Sequence, residues 1–282
     1  MPNNVHPSYW FDDGSIILHV QDTSYKLHRS LIARHSPFLN SLSDTTDDLR
    51  IPEGLGVLSE DFDRLLEHLY HDIPLSTDSQ LSRLGSILRA SSESQLHFPD
   101  IHRLAKERFQ SLLPQSLEDL SHSERADHAL GIAVQYQMYP IQKALFYSVA
   151  THMHFEDEES VDGNPDIKLI TSATMTPDIL KQCKALLDQL IGHFTPILFT
   201  VATAGHMACT DVLAEKWMPL VIQPALENNG LCRPIETLQS IIDLDWSRHG
   251  LCRDCVQDKR DEWKGEQEVV WNKLDEWLKL KT

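Results

Sequence analysis

Residues 11–38 read FDDGSIILHVQDTSYKLHRSLIARHSPF. Ser15–His28 holds two β-rich runs of alternating character, separated by the turn-forming residues Gln21, Asp22, Thr23 and Ser24, and this pattern predicts a hairpin. Directly behind it, Ser30 is placed to cap a short helix carrying Leu31, Ile32 and Ala33. Ser36-Pro37 then stops that helix and starts another with Phe38, Leu39 and Leu42, because serine accepts from open first-turn N–H groups and proline suits the first helical position. A hairpin running straight into two short helices implies a small sheet with helices laid against it.

The segments downstream extend that picture. Leu49-Arg50-Ile51 before Pro52 reads as a short edge strand, and Ser59-Glu60-Asp61 caps a helix whose apolar residues Phe62, Leu65, Leu66, Leu69 and Tyr70 recur at helical spacing. Further helices are expected over Leu81, Leu84 and Leu88, and from Pro99 over Ile101, Leu104, Ala105, Phe109 and Leu112. The fold class expected is α+β: residues 1–115 form a small sheet wrapped by helices, and residues 116–282 form a mainly α-helical domain. In the second part, Ser123–His154 reads as two helices interrupted near Pro140. Residues 155–166, FEDEESVDGNPD, crowd acids ahead of turn formers and read as a solvated loop. Thr176-Pro177-Asp178 opens a helix with Ile179, Cys183, Leu186, Leu187, Leu190 and Phe194 on one side, and Thr195-Pro196 repeats the device for a further apolar helix. From Lys259 to Leu280 a closing helix spaces Trp263, Val270, Trp271, Leu274, Trp277 and Leu278 along one stripe, which reads as core.

Composition excludes several function classes. The 282 residues carry 25 Lys+Arg against 42 Asp+Glu, a formal net charge of −17, and no basic run. Phosphate backbones and anionic headgroups are bound through clustered positive charge, so neither direct nucleic-acid binding nor membrane binding is expected. The amino terminus lacks a basic segment followed by an apolar one, and the longest apolar stretch, Pro196–Ala208, is broken by Gly205 and His206. A cytoplasmic or nuclear location is therefore expected. Five cysteines fit reduced thiols or metal ligands better than a disulfide framework.

Phe11-Asp12-Asp13-Gly14, the sequence Tyr25-Lys26-Leu27-His28 and the sequence Ser36-Pro37-Phe38 together resemble the BTB/POZ domain. In that family an acidic residue opens the first strand, an aromatic-x-x-His follows the second, and a helix ends at Ser with an aromatic two residues on. Phe62-x-x-Leu65-Leu66-x-x-Leu69-Tyr70 is similar to the family's next helix, so the likeness covers roughly residues 9–112. The opening Trp10–Gly14, the Gly250–Cys255 segment and the tryptophan helix are similar to fungal, basidiomycete-type BTB proteins with a long helical C-terminal region. The resemblance implies fold-defining roles for Asp13, Tyr25, His28, Ser36, Phe38, Phe62, Leu66 and Tyr70. It also implies a non-enzymatic adaptor that forms a homodimer and recruits a protein partner, either a cullin-type ubiquitin-ligase scaffold or a transcriptional regulator. Read physically, His28 lies where a strand gives way to a helix and can bond backbone groups left open there, with Asp13 and Ser36 as short polar side chains at chain reversals. No G-x-S-x-G elbow accompanies these residues, so they do not form a Ser-His-Asp triad.

The sharpest chemical signal is Cys252-Arg-Asp-Cys255, because two thiolates separated by two residues can close on one metal ion. His206 and Cys209 share the same gap and complete a four-ligand set, with His249 or Cys232 as substitutes. Such a set suits a tetrahedral structural zinc. The alternative is a zinc-dependent or redox enzyme centred on Cys209, Cys252 and Cys255; no His-Glu-x-x-His, Walker loop or dinucleotide fingerprint accompanies it.

Overall fold

Ile16–Val20 (β2) and Thr23–Leu27 (β3) pair antiparallel with Ile16 opposite Leu27 and Val20 opposite Thr23, across a two-residue connection at Gln21 and Asp22. Gln21 adopts φ 52°, the left-handed backbone that lets so short a link reverse the chain. Alternation does the rest: Ile16, Leu18 and Val20 from one strand and Tyr25 and Leu27 from the other are buried. The computed structural model describes residues 4–43, 46–76, 79–120, 126–152 and 175–280, and divides into Met1–Leu113 and Pro114–Thr282. The acidic segment 155–166 lies outside the described residues.

In the first unit the sheet has four strands in the order β1-β3-β2-β4. Asn4–Trp10 (β1) runs parallel to β3, and Asp48–Arg50 (β4) runs parallel to β2 at the opposite edge. β1 was not legible beforehand, because NVHPSYW shows neither alternation nor a β-branched run and holds a proline that only an edge strand tolerates. Arg29–His35 (α1) and Pro37–Ser43 (α2) follow the hairpin, then Ser59–Leu69 (α3), Leu81–Ser91 (α4) and Pro99–Ser111 (α5). Two expected caps are corrected. α1 starts one residue before Ser30 with His28 at its cap, and α3 starts behind Leu58, so Ser59 Oγ is free to donate to the carbonyl of Val20 at 2.9 Å. Both serines fall inside the first turn, where strand geometry sets the chain direction one residue earlier than side-chain preference would. The buried carboxylate of Asp61 on α3 accepts two hydrogen bonds of 2.7 Å from Arg89 on α4, tying the helices that cover the sheet.

Among the described residues of the second unit, the regular elements are all helices. Ala126–Gln135 (α6) and Tyr139–His152 (α7) are the pair expected around Pro140. Pro177–Phe199 (α8) begins at the Thr176 cap, whose hydroxyl accepts from the N–H of Ile179 at 3.3 Å. The expectation that Thr195-Pro196 starts a new helix is overturned: α8 continues through Pro196 to Phe199. Thr195 Oγ1 instead donates to the carbonyl of Ile191 at 2.6 Å, and Pro196 sits in the last turn, where its ring disturbs little of the helix behind it. Met207–Trp217 (α9) passes through a wider π-type turn, Met218–Ile222, into Gln223–Glu227 (α10). Pro234–Asp243 (α11) and the 26-residue Arg253–Leu278 (α12) complete the unit.

Its core is built around Trp217, Trp246 and Trp263, with ring centroids 5.7 to 6.3 Å apart. The indole N–H of Trp217 donates to Leu198 at the end of α8 and that of Trp246 to Ile241 near the end of α11, both at 2.9 Å. Each fills a carbonyl among the last four of a helix, which have no partner inside it. The single tryptophan stripe expected on α12 is thereby corrected: Trp263 is core, whereas Trp271 and Trp277 are half-buried, the first lying 4.6 Å beneath the ammonium of Lys143. Among the described residues no helix is long and apolar enough to cross a membrane.

Candidate metal centre

Two helices present their first turns to one point. His206 is the residue that caps α9 and Cys209 lies in its first turn; Cys252 caps α12 and Cys255 lies in its first turn. Both cap residues have extended backbone, φ −109° and ψ 135° at His206 and φ −71° and ψ 158° at Cys252, and neither uses its side chain to satisfy its own helix. A gap of three residues across a helix start puts both side chains on the same side. Each x-x spacing therefore delivers one pair of donor atoms, and the two pairs meet.

The turn before α12 is set by Trp246, whose carbonyl accepts from the N–H groups of His249 and Leu251, and by Gly250, whose φ of +108° a side chain would resist. Leu251 and the indole of Trp246 are buried in the tryptophan core, so the register of Cys252 is fixed from below.

Nδ1 of His206 lies 3.3 Å from Sγ of Cys252 and 3.5 Å from Sγ of Cys255, and the ligand atoms of all four residues lie within 4.8 Å of one another. Zinc bonds of about 2.3 Å to sulfur and about 2.0–2.1 Å to nitrogen, at tetrahedral angles, place N and S about 3.6 Å apart. The observed N···S separations match that edge. The backbone N–H of Cys252 points at Sγ of Cys209 at 3.5 Å, the polarity that stabilises a thiolate. Cys209 and Cys255 are buried, Cys252 is half-buried and His206 is exposed, so the cluster closes inward on core and outward on solvent. These four residues can hold a metal ion.

The thiols are not equivalent. The N–H of Cys255 and the imidazole of His206 lower the Cys252 thiol to about 7, whereas burial raises that of Cys255. Cys183, inside α8, is pushed up to about 12 by burial alone, and Cys232 is raised for the same reason. Neither Cys232 nor His249 joins the cluster; the ring of His249 instead meets Trp246 edge-on.

The residues singled out in the first unit form two groups. Around the helix start, His28 contacts Asp13 through Nε2 at 3.2 Å, while its Nδ1 and backbone N–H both meet the Tyr70 hydroxyl, at 3.2 and 3.1 Å. The expected backbone bonding by the His28 side chain is corrected, since its partners are side chains; Tyr70, at the end of α3, reaches the junction and supplies the polar atom. Phe11 stacks beside Tyr70 at 4.9 Å. Phe62 and Leu66 are fully buried, and Phe62 meets Tyr25 edge-on at 5.0 Å while the Tyr25 hydroxyl donates to Asp63 at 2.8 Å. Ser36 stands apart from this group: its buried hydroxyl donates to the carbonyl of Leu96 and accepts from the N–H of Leu39, and Phe38 is half-buried on the same helix. A serine so engaged is no nucleophile.

Sequence reasoning missed two buried polar pairs. One is Asp61–Arg89; the other is Tyr147, which donates to Glu236 at 2.5 Å and accepts from the N–H of Ile235 at 3.2 Å. Both link residues on separate helices, and no local spacing announces them. No protein-family model and no curated protein matches the chain.

Proposed function

We propose that this chain is a non-enzymatic protein-protein interaction protein, in which a BTB/POZ-type module at residues 1–115 self-associates and recruits a cullin-type ubiquitin-ligase scaffold. Its helical C-terminal domain is held by a structural zinc on His206, Cys209, Cys252 and Cys255. The observation that carries the non-catalytic reading is the closed ligand set: four protein donors within 4.8 Å fill a tetrahedral ion and leave it no position for water or substrate. A catalytic zinc keeps such a position open.

The adaptor part is supported by a different observation. The residues on which the BTB resemblance rests, Phe11, Asp13, Tyr25, His28, Phe62 and Tyr70, sit at one seam between the hairpin and α3, holding each other through ring contacts and hydrogen bonds. Ser36 anchors the following helix. All of them have structural work, which leaves the surface of this unit for a partner. A net charge of −17 agrees with a protein partner over a nucleic acid.

Sedimentation velocity of the full chain over a concentration series, with calorimetric titration of a purified cullin amino-terminal domain, tests the adaptor reading. Concentration-dependent dimerisation with saturable cullin binding supports it. A chain that stays monomeric and binds no cullin removes it. Elemental analysis of the same preparation tests the metal, with one zinc per chain expected.

A further inference from the structure

Cys252 and Cys255 are the two thiols of the cluster that also lie close together in sequence, three residues apart. They stand at the cap and in the first turn of α12, their sulfurs belong to a cluster no wider than 4.8 Å, and Cys252 is the thiol of the pair with access to solvent. The exposed His206 forms the outer side of the cluster and leaves Cys252 open to a small oxidant. Cys209, by contrast, is buried on α9, and Cys183 is buried inside α8.

Resting on the metal reading above, we infer that the centre is a redox-sensitive clasp: hydrogen peroxide oxidises Cys252 and Cys255 to a disulfide and expels the zinc. In the first step the Cys252 sulfur attacks one peroxide oxygen; an S–O bond forms, the O–O bond breaks, and hydroxide leaves and takes a proton to become water. In the second step the Cys255 sulfur attacks the sulfenic sulfur; the S–S bond forms and the S–O bond breaks, with a second water leaving. Two thiolates lose two electrons in all, the hydrogen peroxide gains them, and two protons are consumed. The metal loses two of its four ligands, and a His-Cys pair alone does not complete a tetrahedral structural site.

The consequence for the fold follows from what the metal joins. His206 and Cys209 begin α9, and Cys252 and Cys255 begin α12, so the ion ties the starts of two helices that both feed the tryptophan core. Expulsion frees these two starts and leaves the distal parts of both helices packed.

The test uses the zinc-loaded full chain, hydrogen peroxide, and a chromogenic zinc chelator. Trypsin cleaves between Arg253 and Asp254, so a Cys252–Cys255 disulfide appears in the mass spectrum as residues 249–253 joined to residues 254–259, a species lost on reduction. The expected result is one zinc released for each joined pair formed, reversed by a dithiol with added zinc, and faster amide exchange confined to segments around 204–212 and 249–256. A Cys232→Ser variant should behave identically, which removes the remaining half-exposed thiol from consideration. Zinc retained through peroxide treatment that oxidises a free-thiol control overturns the inference and leaves the metal reading standing. Zinc release with Cys209 in the disulfide, or with sulfinic acid and no disulfide, also overturns it. A chain that takes up no zinc overturns both.

Discussion

Removing the metal should lower the stability of residues 114–282 while leaving residues 4–113 unchanged. An ion that binds only the folded state stabilises it by RT ln(1 + [Zn]/Kd), about 4.1 kcal/mol at free zinc a thousand times Kd. A domain of 150–250 residues shifts about 2–4 °C per kcal/mol, so chelation is expected to lower the midpoint by about 8–16 °C. The ligands themselves localise the effect. Cys209 and Cys255 belong to the same buried cluster as Trp217, Trp246 and Trp263, so a metal bound there would hold the end of the second unit's core. Tryptophan fluorescence is the natural probe, because all the tryptophans except Trp10 lie in that unit. Amide exchange in peptides from 81–111 serves as the internal reference. Cys209→Ser should reproduce the chelated midpoint and make it insensitive to added zinc. A midpoint that does not move between zinc-loaded and chelated protein, with zinc binding confirmed by elemental analysis, would refute the argument that the four ligands clamp this core.

Three further outcomes follow from buried polar contacts. Tyr147→Phe removes, from a fully buried ring, a hydroxyl that serves both Glu236 and the first-turn N–H of Ile235, and should cost about 1–3 kcal/mol in urea unfolding followed by tryptophan fluorescence. Ser36→Ala leaves the carbonyl of Leu96 and the N–H of Leu39 unserved and should cost about 1–2 kcal/mol, read from amide exchange of the first unit at rising urea. Burial lowers His102 and His68 below the usual histidine range, most strongly through loss of water around the charged ring. The unfolded chain therefore takes up these protons first as pH falls, so the stability contributed by the neutral rings is complete above about pH 6.5 and is lost on acidification toward the lower folded values. Protection of the amides in α4 and α5, corrected for the intrinsic pH dependence of exchange, should fall between pH 7 and pH 5, and His102→Gln should flatten that dependence; a first unit whose protection is level across this range would contradict it.

How much of this was legible in advance depends on whether the determining signal was local. Hairpin register follows from Ile16, Leu18 and Val20 alternating with polar neighbours, and that periodicity is written within a few residues. The Thr176 cap, the Ser36 cap and the helix pair around Pro140 are likewise short-range. β1 was not legible, since its strand character comes from an unfilled edge of β3 rather than from its own residues. The run through Pro196 misled because Thr-Pro has the chemistry of a helix start, while the last turn of an existing helix tolerates the same pair. For the metal centre the shared two-residue gaps singled out His206, Cys209, Cys252 and Cys255, with Cys232 and His249 as substitutes, but could not show that the two pairs meet. Their meeting is made by the fold, which aligns two helix starts and leaves the substitutes outside.

Those two helix starts explain why the site can exist where it does. Helix N-termini carry open N–H groups and a partial positive charge, and ordinarily a Ser, Thr, Asp or Asn side chain answers both. At α9 and α12 no such side chain occupies the cap position: His206 and Cys252 stand there without capping their own helices. The N–H of Cys252 turns instead to the sulfur of Cys209 at 3.5 Å, so a sulfur stands in for a missing oxygen acceptor at the start of α12. A divalent ion at the centre of the three sulfurs would offset the charge of the thiolates that bind it, while the start of α12 retains its sulfur acceptor. The same arrangement makes the clasp breakable. Once Cys252 and Cys255 join each other, two of the three sulfur donors are lost to the ion, and the tie between the starts of α9 and α12 goes with them.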